Sequence, residues 1–528
     1  MTALLRNLLN ALRKLRSARV FTATAVLTLA LGIGGTIAIF TLIHAVMLKS
    51  LPVVDPSQLY RIGDGDNCCV QGGPQDRWGM VSYPLFERIK AETPEFEELM
   101  AFQAGNGRLS VRRQGIEDAP RPLRTGFVTG NYFTTLGLNA FIGRVFSQDD
   151  DTPGSSPVVV MAYHAWQGIY GGDAAIVGAT LVVEGQPFTV AGVAPPGFFG
   201  ETLRADPPDL WLPVHQEPLI NGGDSSLLRQ PISAWLRVMG RLRPGATVDG
   251  MDARLTGLLR QWMLNEAGYP ANWMPSIERT LPEQILAVVP AGAGVGAMKE
   301  SYGTSLQILL AACGLVLLIA CANVANLLLA RAVARRGQTA IRLAMGATRR
   351  QIVIEALTES VLLAIGGALA GLVVAVGAAR LMLSLAFAGA TTLPIETIPS
   401  PLVLAFAAGL ALVTGLLFGA APAWLATRTN PIDALRGAGR TAGEGSTVAR
   451  TALLVVQAAL SIVLVAGSTM LGRSLGNIEQ QDFGFVRDGR VLVSVGRPSA
   501  AFSAERLTAL YRDLEERLAR LPGVQGAG

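Results

Sequence analysis

The chain has 528 residues, 50% of them hydrophobic and 16% charged, with a formal net charge of +5 and a mean hydropathy of +0.39. Soluble globular proteins carry about 25% charged residues, so the composition excludes an ordinary soluble protein and indicates a membrane protein. A charge of +5 is also too small to argue for nucleic acid as a partner; where the basic residues lie says more than their sum.

Within residues 3–16, Leu4, Leu5, Leu8, Leu9, Leu12 and Leu15 recur at helical spacing, with Arg13, Lys14 and Arg16 among them. The pattern predicts an amphipathic helix on the inner leaflet, a disordered basic tail being the alternative. Residues 20–48, 301–330, 360–379, 397–427 and 451–472 then lack any Asp, Glu, Lys or Arg. A helix needs roughly 20 apolar residues to cross a bilayer, so all five qualify. The first is about twice the length of a secretory apolar core and reads as a retained span rather than a cleaved leader.

Arginines set the orientation. Arg6, Arg13, Lys14, Arg16 and Arg19 precede the first span, and Arg331, Arg335, Arg336, Arg342, Arg349 and Arg350 lie between the second and third. Arg428, Arg436, Arg440 and Arg450 follow the fourth, whereas the link at 391–400 holds only Glu396. By the positive-inside rule the three basic segments are cytoplasmic, which places residues 52–300, and everything after Arg473, outside.

The external segment reads as mixed α/β. Strands are predicted at 157–161, 180–183, 187–193 and 235–242, the second and third forming a hairpin around Glu184-Gly185-Gln186. A helix begins near Ser82 and Pro84, and another spans 248–263 after the turn at Pro244-Gly245. No catalytic constellation, cofactor motif or metal site is found. His164 and His215 are too few and too scattered for zinc, and there is no G-x-S-x-G elbow. Asp64, Asp66 and Asn67 begin like a calcium loop but lack its later ligands. Asp149, Asp150 and Asp151 read as a solvated turn. Adjacent Cys68 and Cys69 are either free thiols or a strained bridge.

Inside the membrane, Glu355 and Glu359 near the start of the third span read as interfacial residues favoured by a helix N-terminus, in preference to a transport role. Asn323 and Asn326 are expected to hydrogen-bond a neighbouring helix, and Cys313 and Cys321 to pack as small residues. Small residues recur every four positions at Thr28, Gly32 and Thr36, at Gly367 and Gly371, and at Ala411, Gly415 and Gly419, which predicts closely approaching helices.

The most informative stretch is RRGQTAIRLAMGATRRQIVIEALTES, residues 335–360. Residues 335–345 make about three helical turns, Gly346 stops them, and Thr348 with Gln351 forms a capping box that opens the third span. Ile341, Leu343, Ala344 and Met345 supply apolar surface; Arg335, Arg336 and Arg342 supply charge. A loop that only anchors topology needs the arginines but neither the capped helix nor the apolar positions, so a docking helix for a cytoplasmic partner is the better reading.

Residues 323–360, NVANLLLARAVARRGQTAIRLAMGATRRQIVIEALTES, closely resemble the MacB/FtsX-type ABC transporter permeases. So do residues 415–436, GLLFGAAPAWLATRTNPIDALR, ending in P-x-x-A-L-R. Residues 158–198, VVVMAYHAWQGIYGGDAAIVGATLVVEGQPFTVAGVAPPGF, look like the periplasmic core domain of that family. The resemblance implies an α-helical transmembrane bundle with a mixed α/β, MacB-like periplasmic core domain, in the bacterial inner membrane with a cytoplasmic N-terminus. It also implies that Arg335, Arg336, Gln338, Ile341, Arg342, Leu343, Ala344, Met345, Gly346 and Ala347 couple to a cytoplasmic ABC ATPase subunit. Two differences stand out: Gln338 and Thr339 replace the usual Glu-Ile, and a fifth span leads to an external tail. That tail, including QDFGFVRDGRVLVSV at 481–495, resembles the start of a second external domain, as in the duplicated permeases of acidobacteria, so the full protein is expected to be longer.

The expected organisation is thus an amphipathic helix at 1–19, first span 20–48, periplasmic core domain 49–304, second span 305–330, coupling loop 331–351 and third span 352–379. A periplasmic link at 380–400, fourth span 401–427, cytoplasmic linker 428–450, fifth span 451–472 and incomplete second periplasmic domain 473–528 complete it. Nothing fits G-x-x-x-x-G-K-[ST], so ATP hydrolysis is expected in a separate subunit. The expected function is a permease passing ATPase motion to the periplasmic domain. The alternative is a non-transporting regulatory scaffold acting on periplasmic partners. Besides the ATPase and the lipid bilayer, the expected partners are a second copy or second permease half and a periplasmic adaptor.

Overall fold

The structure is a computed structural model that describes residues 2–63, 78–115, 119–223, 225–387, 395, 397–427, 444–481, 489–491 and 504–527. The calcium-like start at Asp64, Asp66 and Asn67, the pair Cys68-Cys69, the P-x-x-A-L-R at 431–436 and most of 481–495 lie outside these residues. The chain divides into two compact units, one comprising residues 1–48, 301–389 and 395–490, the other 49–300, 390–394 and 491–528.

The first helices are α1 (Thr2–Ser17) and α2 (Arg19–Ile43), the latter ending in a π-turn at His44–Leu48. Ala11 and Leu15 of α1 are buried while Leu8, Leu9 and Leu12 are exposed, the split expected of a helix resting on both protein and lipid.

The external unit contains strands β1 (Leu59–Ile62), β2 (Phe96–Gln103), β3 (Gly107–Arg113), β4 (Arg121–Val128), β5 (Ile142–Gly143), β6 (Val158–Met161), β7 (Thr180–Val183), β8 (Gln186–Val193), β9 (Leu210–Pro213), β10 (Leu236–Leu242) and β11 (Val288–Pro290). Between them run α3 (Tyr83–Ala91), α4 (Tyr132–Thr135), α5 (Tyr163–Tyr170), α6 (Glu217–Asn221), α7 (Met251–Asn265) and α8 (Met274–Thr280). The sheet order is β11-β1-β10-β2-β4-β3-β7-β8-β6-β9, and β9 returns to pair in parallel with β4. Strands β4, β3, β7, β8, β6 and β9 therefore close a ring, and β2, β10, β1 and β11 extend from it as an open wing. Every residue of β6 and β9 is buried, as expected of strands covered on both faces.

The predicted hairpin is present: Val183 pairs with Gln186 across Glu184 (φ 48°) and Gly185 (φ 83°). Two positive φ angles in a two-residue loop match the right-handed twist of the flanking strands, and glycine takes that conformation without cost. Ser82 caps α3, its Oγ accepting from Leu85 N at 3.4 Å. Trp211, Tyr132, Phe133, Phe146 and Phe198 fill the core, with Phe133 edge-on to Trp211 at 5.6 Å between centroids. Their size makes them a large share of the apolar surface withdrawn from water.

The chain continues through α9 (Ala297–Ala334), α10 (Arg336–Ala344), α11 (Arg349–Ala386), α12 (Pro401–Thr427), α13 (Glu444–Glu479) and α14 (Ala504–Ala519). Among the described residues, five helical segments are long and apolar enough to cross a membrane: Arg19–Leu48, Tyr302–Ala334, Arg349–Ala386, Pro401–Ala420 and Thr451–Ile478. The protein is a multi-pass membrane protein. Several helices outrun the charge-free stretches. The boundary expected at 304/305 falls inside α9, and α11 continues to Ala386, seven residues into the expected link at 380–400. A helix, once nucleated, propagates through polar residues as readily as apolar ones.

The four-residue spacings mark crossing points. A Cβ on Gly32 would stand 3.2 Å from Ala320 Cβ, and one on Gly415 would stand 3.0 Å from Val361 Cα. Thr36 returns its hydroxyl to Gly32 O at 2.9 Å. Cys321 is buried and Cys313 half-buried, both free thiols. The expected hydrogen bond at Asn326 is not found: its Oδ1 is buried with no partner among the described residues.

Candidate coupling site

The sequence assigns no role to His164 and His215, and the structure pairs each of them with an aspartate. His164 Nε2 lies 3.0 Å from Asp209 Oδ1, and His215 Nδ1 lies 3.0 Å from Asp151 Oδ1. Each histidine has its own buried aspartate, and among the described residues no group of three or more potential ligands gathers.

The solvated turn expected at 149–151 needs correction. Asp151 is 3% exposed and accepts from the backbone N–H groups of Gly130 and His215, both at 2.8 Å. Asp150 instead caps the turn from Ser147 and forks onto Arg144 at 2.6 and 2.8 Å. Loop amides with no strand partner must find an acceptor, and Asp151 supplies it.

The Asp151 hydrogen bond holds the His215 imidazole above its ordinary pKa, against the opposing effect of burial. A histidine whose folded pKa is raised contributes stability that is full below about 6.5, its unfolded value, and lost as pH rises through the folded value. The external unit is therefore expected to unfold more easily in urea as pH rises across this window. His215→Gln should flatten that dependence; a slope unchanged by the substitution overturns the assignment.

The predicted docking helix is α10, one residue shorter at each end than residues 335–345. Arg335 stands at its N-cap and Met345 at its C-cap. Gly346 takes φ 95°, its N–H donating to Leu343 O at 3.0 Å while Ala347 N–H donates to Arg342 O at 3.0 Å. This pair of bonds, with glycine in the left-handed region, is the Schellman stop. The capping box follows: Thr348 Oγ1 accepts from Gln351 N at 3.3 Å, and Gln351 Oε1 accepts from Thr348 N at 3.1 Å. A helix, a sharp reversal and a second helix are thus fixed within a few residues.

The helix has two faces. Ala340 is buried at 1% exposure, with Thr339 and Leu343 half-buried. Gln338, Ile341, Ala344 and Met345 are exposed, Ile341 at 51% and Met345 at 75%. Ile341 and Met345, four apart, stand one above the other. Arg336 opens the helix, and exposed Gly346 and half-buried Ala347 close it.

Glu355 and Glu359 are not held by the start of α11. They sit beyond the first turn of α11, where the helix dipole has faded. Glu355 pairs with Lys14 of α1 and, through Oε2, with Arg342 Nη1 of α10 at 3.2 Å. Glu359 pairs with Arg331 Nη1 at 2.8 Å and lies 3.9 Å from Arg335 Nη1. Arg331 also donates to Lys14 O at 3.4 Å and stacks over the Phe21 ring at 4.4 Å. Ion pairs, not the dipole, hold both carboxylates. The sequence offered the two glutamates one turn apart but no sign that Lys14, 341 residues away, completes the site.

Two protein families match this chain. Residues 22–258 match the family described as MacB-like periplasmic core domain, and residues 310–431 match the FtsX-like permease C-terminal family. A pyoverdine export ATP-binding/permease protein, PvdT, of Pseudomonas syringae is 28% identical over 65% of this chain and 46% of its own length. A macrolide export ATP-binding/permease protein, MacB, of Rhodospirillum rubrum is 29% identical over 55% of this chain and 39% of its own. The chain therefore spans less than half the length of these relatives. Among solved structures, the periplasmic region of MacB from Actinobacillus actinomycetemcomitans is similar over 48% of this chain and 94% of that one, at 12% identity and a TM-score of 0.31.

Proposed function

The chain belongs to the MacB/FtsX-type family of ABC transporter permeases, and from that premise we propose that it transmits motion from an ATP-hydrolysing subunit to its external domain. The ATPase docks on α10 from the cytoplasm, and the spans carry its closure outward. Substrate is handled by the external domain, outside the lipid, with a periplasmic adaptor and a second permease half completing the assembly. The relatives named as exporters favour export over the regulatory alternative. The basic residues before the first span and around α10 favour a cytoplasmic N-terminus in the inner membrane.

One observation carries this reading: a capped helix with exposed apolar Ile341 and Met345, flanked by arginines. An apolar face beside charge is the composition of a docking patch. Met345→Asp buries a charge in that contact and is expected to weaken capture of the co-purifying ATP-hydrolysing subunit by roughly 30-fold, the effect of losing an interface hot spot. Membrane insertion should be unaffected, and unchanged capture by the variant overturns the assignment.

A further inference from the structure

The two spans that flank the external domain in sequence are α2 and α9, and nothing in the sequence says how one cytoplasmic helix would drive both. The cytoplasmic end of α9 and the helix α1 that leads into α2 meet on the two carboxylates of α11. Glu355 and Glu359 are four residues apart and so share one helix face. Between them they take Lys14 of α1, Arg331 near the end of α9, Arg335 at the start of α10 and Arg342 within α10.

The path from α1 to α2 is short and stiff. Only Ala18 separates the helices. Leu15 O accepts from Ala18 N at 3.2 Å and from Thr22 Oγ1 at 2.8 Å, so one carbonyl fastens the elbow from both sides. A displacement of α1 is thus passed to α2.

We propose that Glu355 and Glu359 form a mechanical junction that holds α1, the end of α9 and the docking helix α10 as one body on α11, with the N-terminal helix as the arm that drives the first span. This rests on α10 being the docking helix, but the junction is a property of this chain alone. Four cations face two carboxylates. Removing one negative charge leaves Lys14 and Arg342 without their common partner and repelling each other. Glu355 acts as a positioning residue.

The test uses the full chain in lipid nanodiscs, with its four cysteines replaced by serine and spin labels at the exposed positions Arg16 and Gln338. The parent should give one narrow distance distribution between the labels. Glu355→Gln, which keeps the shape and removes the charge, should lower the narrow population about tenfold, the consequence of losing a charged hydrogen bond. Glu355→Asp should restore it. In the unlabelled chain, Glu355→Gln should still capture the ATP-hydrolysing subunit, because Ile341 and Met345 keep their exposed face.

An unchanged distance distribution in Glu355→Gln overturns the junction. So does loss of capture together with the distance, since Glu355 would then only shape the docking face. Met345→Asp separates the two readings: it should leave the distance intact, whatever it does to capture.

Discussion

Asp209→Ala is expected to destabilise the external domain by about 3–5 kcal/mol, the usual cost of removing one partner from a buried ion pair. Asp209 is 2% exposed and precedes β9. Its carboxylate accepts from Arg124 N at 2.8 Å, Arg124 Nε at 3.0 Å and Arg124 Nη2 at 3.2 Å, with His164 Nε2 at 3.0 Å. The backbone is fastened at the same point: Asp209 N–H donates to Arg124 O at 2.7 Å, and Ala162 N–H donates to Asp209 O at 2.9 Å. One residue therefore joins β4, β9 and the corner after β6, where the ring closes. Arg124 also pairs with Asp206, so the loss should fall toward the lower end of the range.

Burial works to raise the Asp209 pKa, but the hydrogen bonds from His164 and Arg124 outweigh it and hold the carboxyl below its ordinary value. A depressed folded pKa means stability that is present above the unfolded value of about 3.9 and lost as pH falls through the folded one. The full chain should thus show an acid limb of unfolding that Asp209→Ala reduces. Six of the seven tryptophans, Trp78, Trp166, Trp211, Trp235, Trp262 and Trp273, lie in the external domain. Intrinsic fluorescence during urea unfolding therefore reports this domain. A variant within about 1 kcal/mol of the parent would show that Arg124 and His164 do not depend on this carboxylate.

The second large effect is expected in the membrane. Gly371→Leu should push α2 and α11 apart and cost the bundle about 1–3 kcal/mol or more, the range for overpacking a close contact. A Cβ at Gly371 would stand 3.1 Å from Gly34 N and 3.3 Å from Ala30 O, and one at Gly34 would stand 2.8 Å from Gly371 O. These neighbours are backbone, so no side chain can rotate away. Gly409 in α12 is the control: a Cβ there meets nothing within 4 Å, so Gly409→Ala should be tolerated and slightly favoured by helix propensity. Thermal aggregation of the detergent-solubilised protein distinguishes them. Equal melting of the two variants would refute close approach at Gly34 and Gly371.

The parts of the fold legible in the sequence are those encoded by neighbours in the chain. A charge-free run, a capping box at Thr348 and Gln351, a glycine at 346 and a two-residue turn at Glu184-Gly185 each act over a few residues. The strands β1, β2, β3, β4, β5, β9 and β11 are not among those the sequence predicts. Of these, β1, β2 and β4 lack a clean alternation, with burial in β2 running from Leu99 to Phe102 without a break, whereas β3 does alternate, Leu109 and Val111 sharing one face. The partners of β2 and β4 are distant: β2 pairs with β10, and β4 pairs in parallel with β9. Asp151 was misread for the same reason, because its acidic neighbours suggest solvent whereas its partner His215 lies 64 residues away.

Local order along the chain determined that this protein spans a membrane, carries an α/β domain between two spans and presents a capped basic helix next to a third. Those features arise from hydrophobicity, turn chemistry and capping, which need no distant partner. Tertiary structure alone decided that the strand ring closes at Asp209, that His164 and His215 each rest on their own aspartate and that Lys14 meets Glu355 across 341 residues. Charges and strand edges are satisfied by whatever the fold brings within a few ångströms, and sequence separation carries no record of that choice.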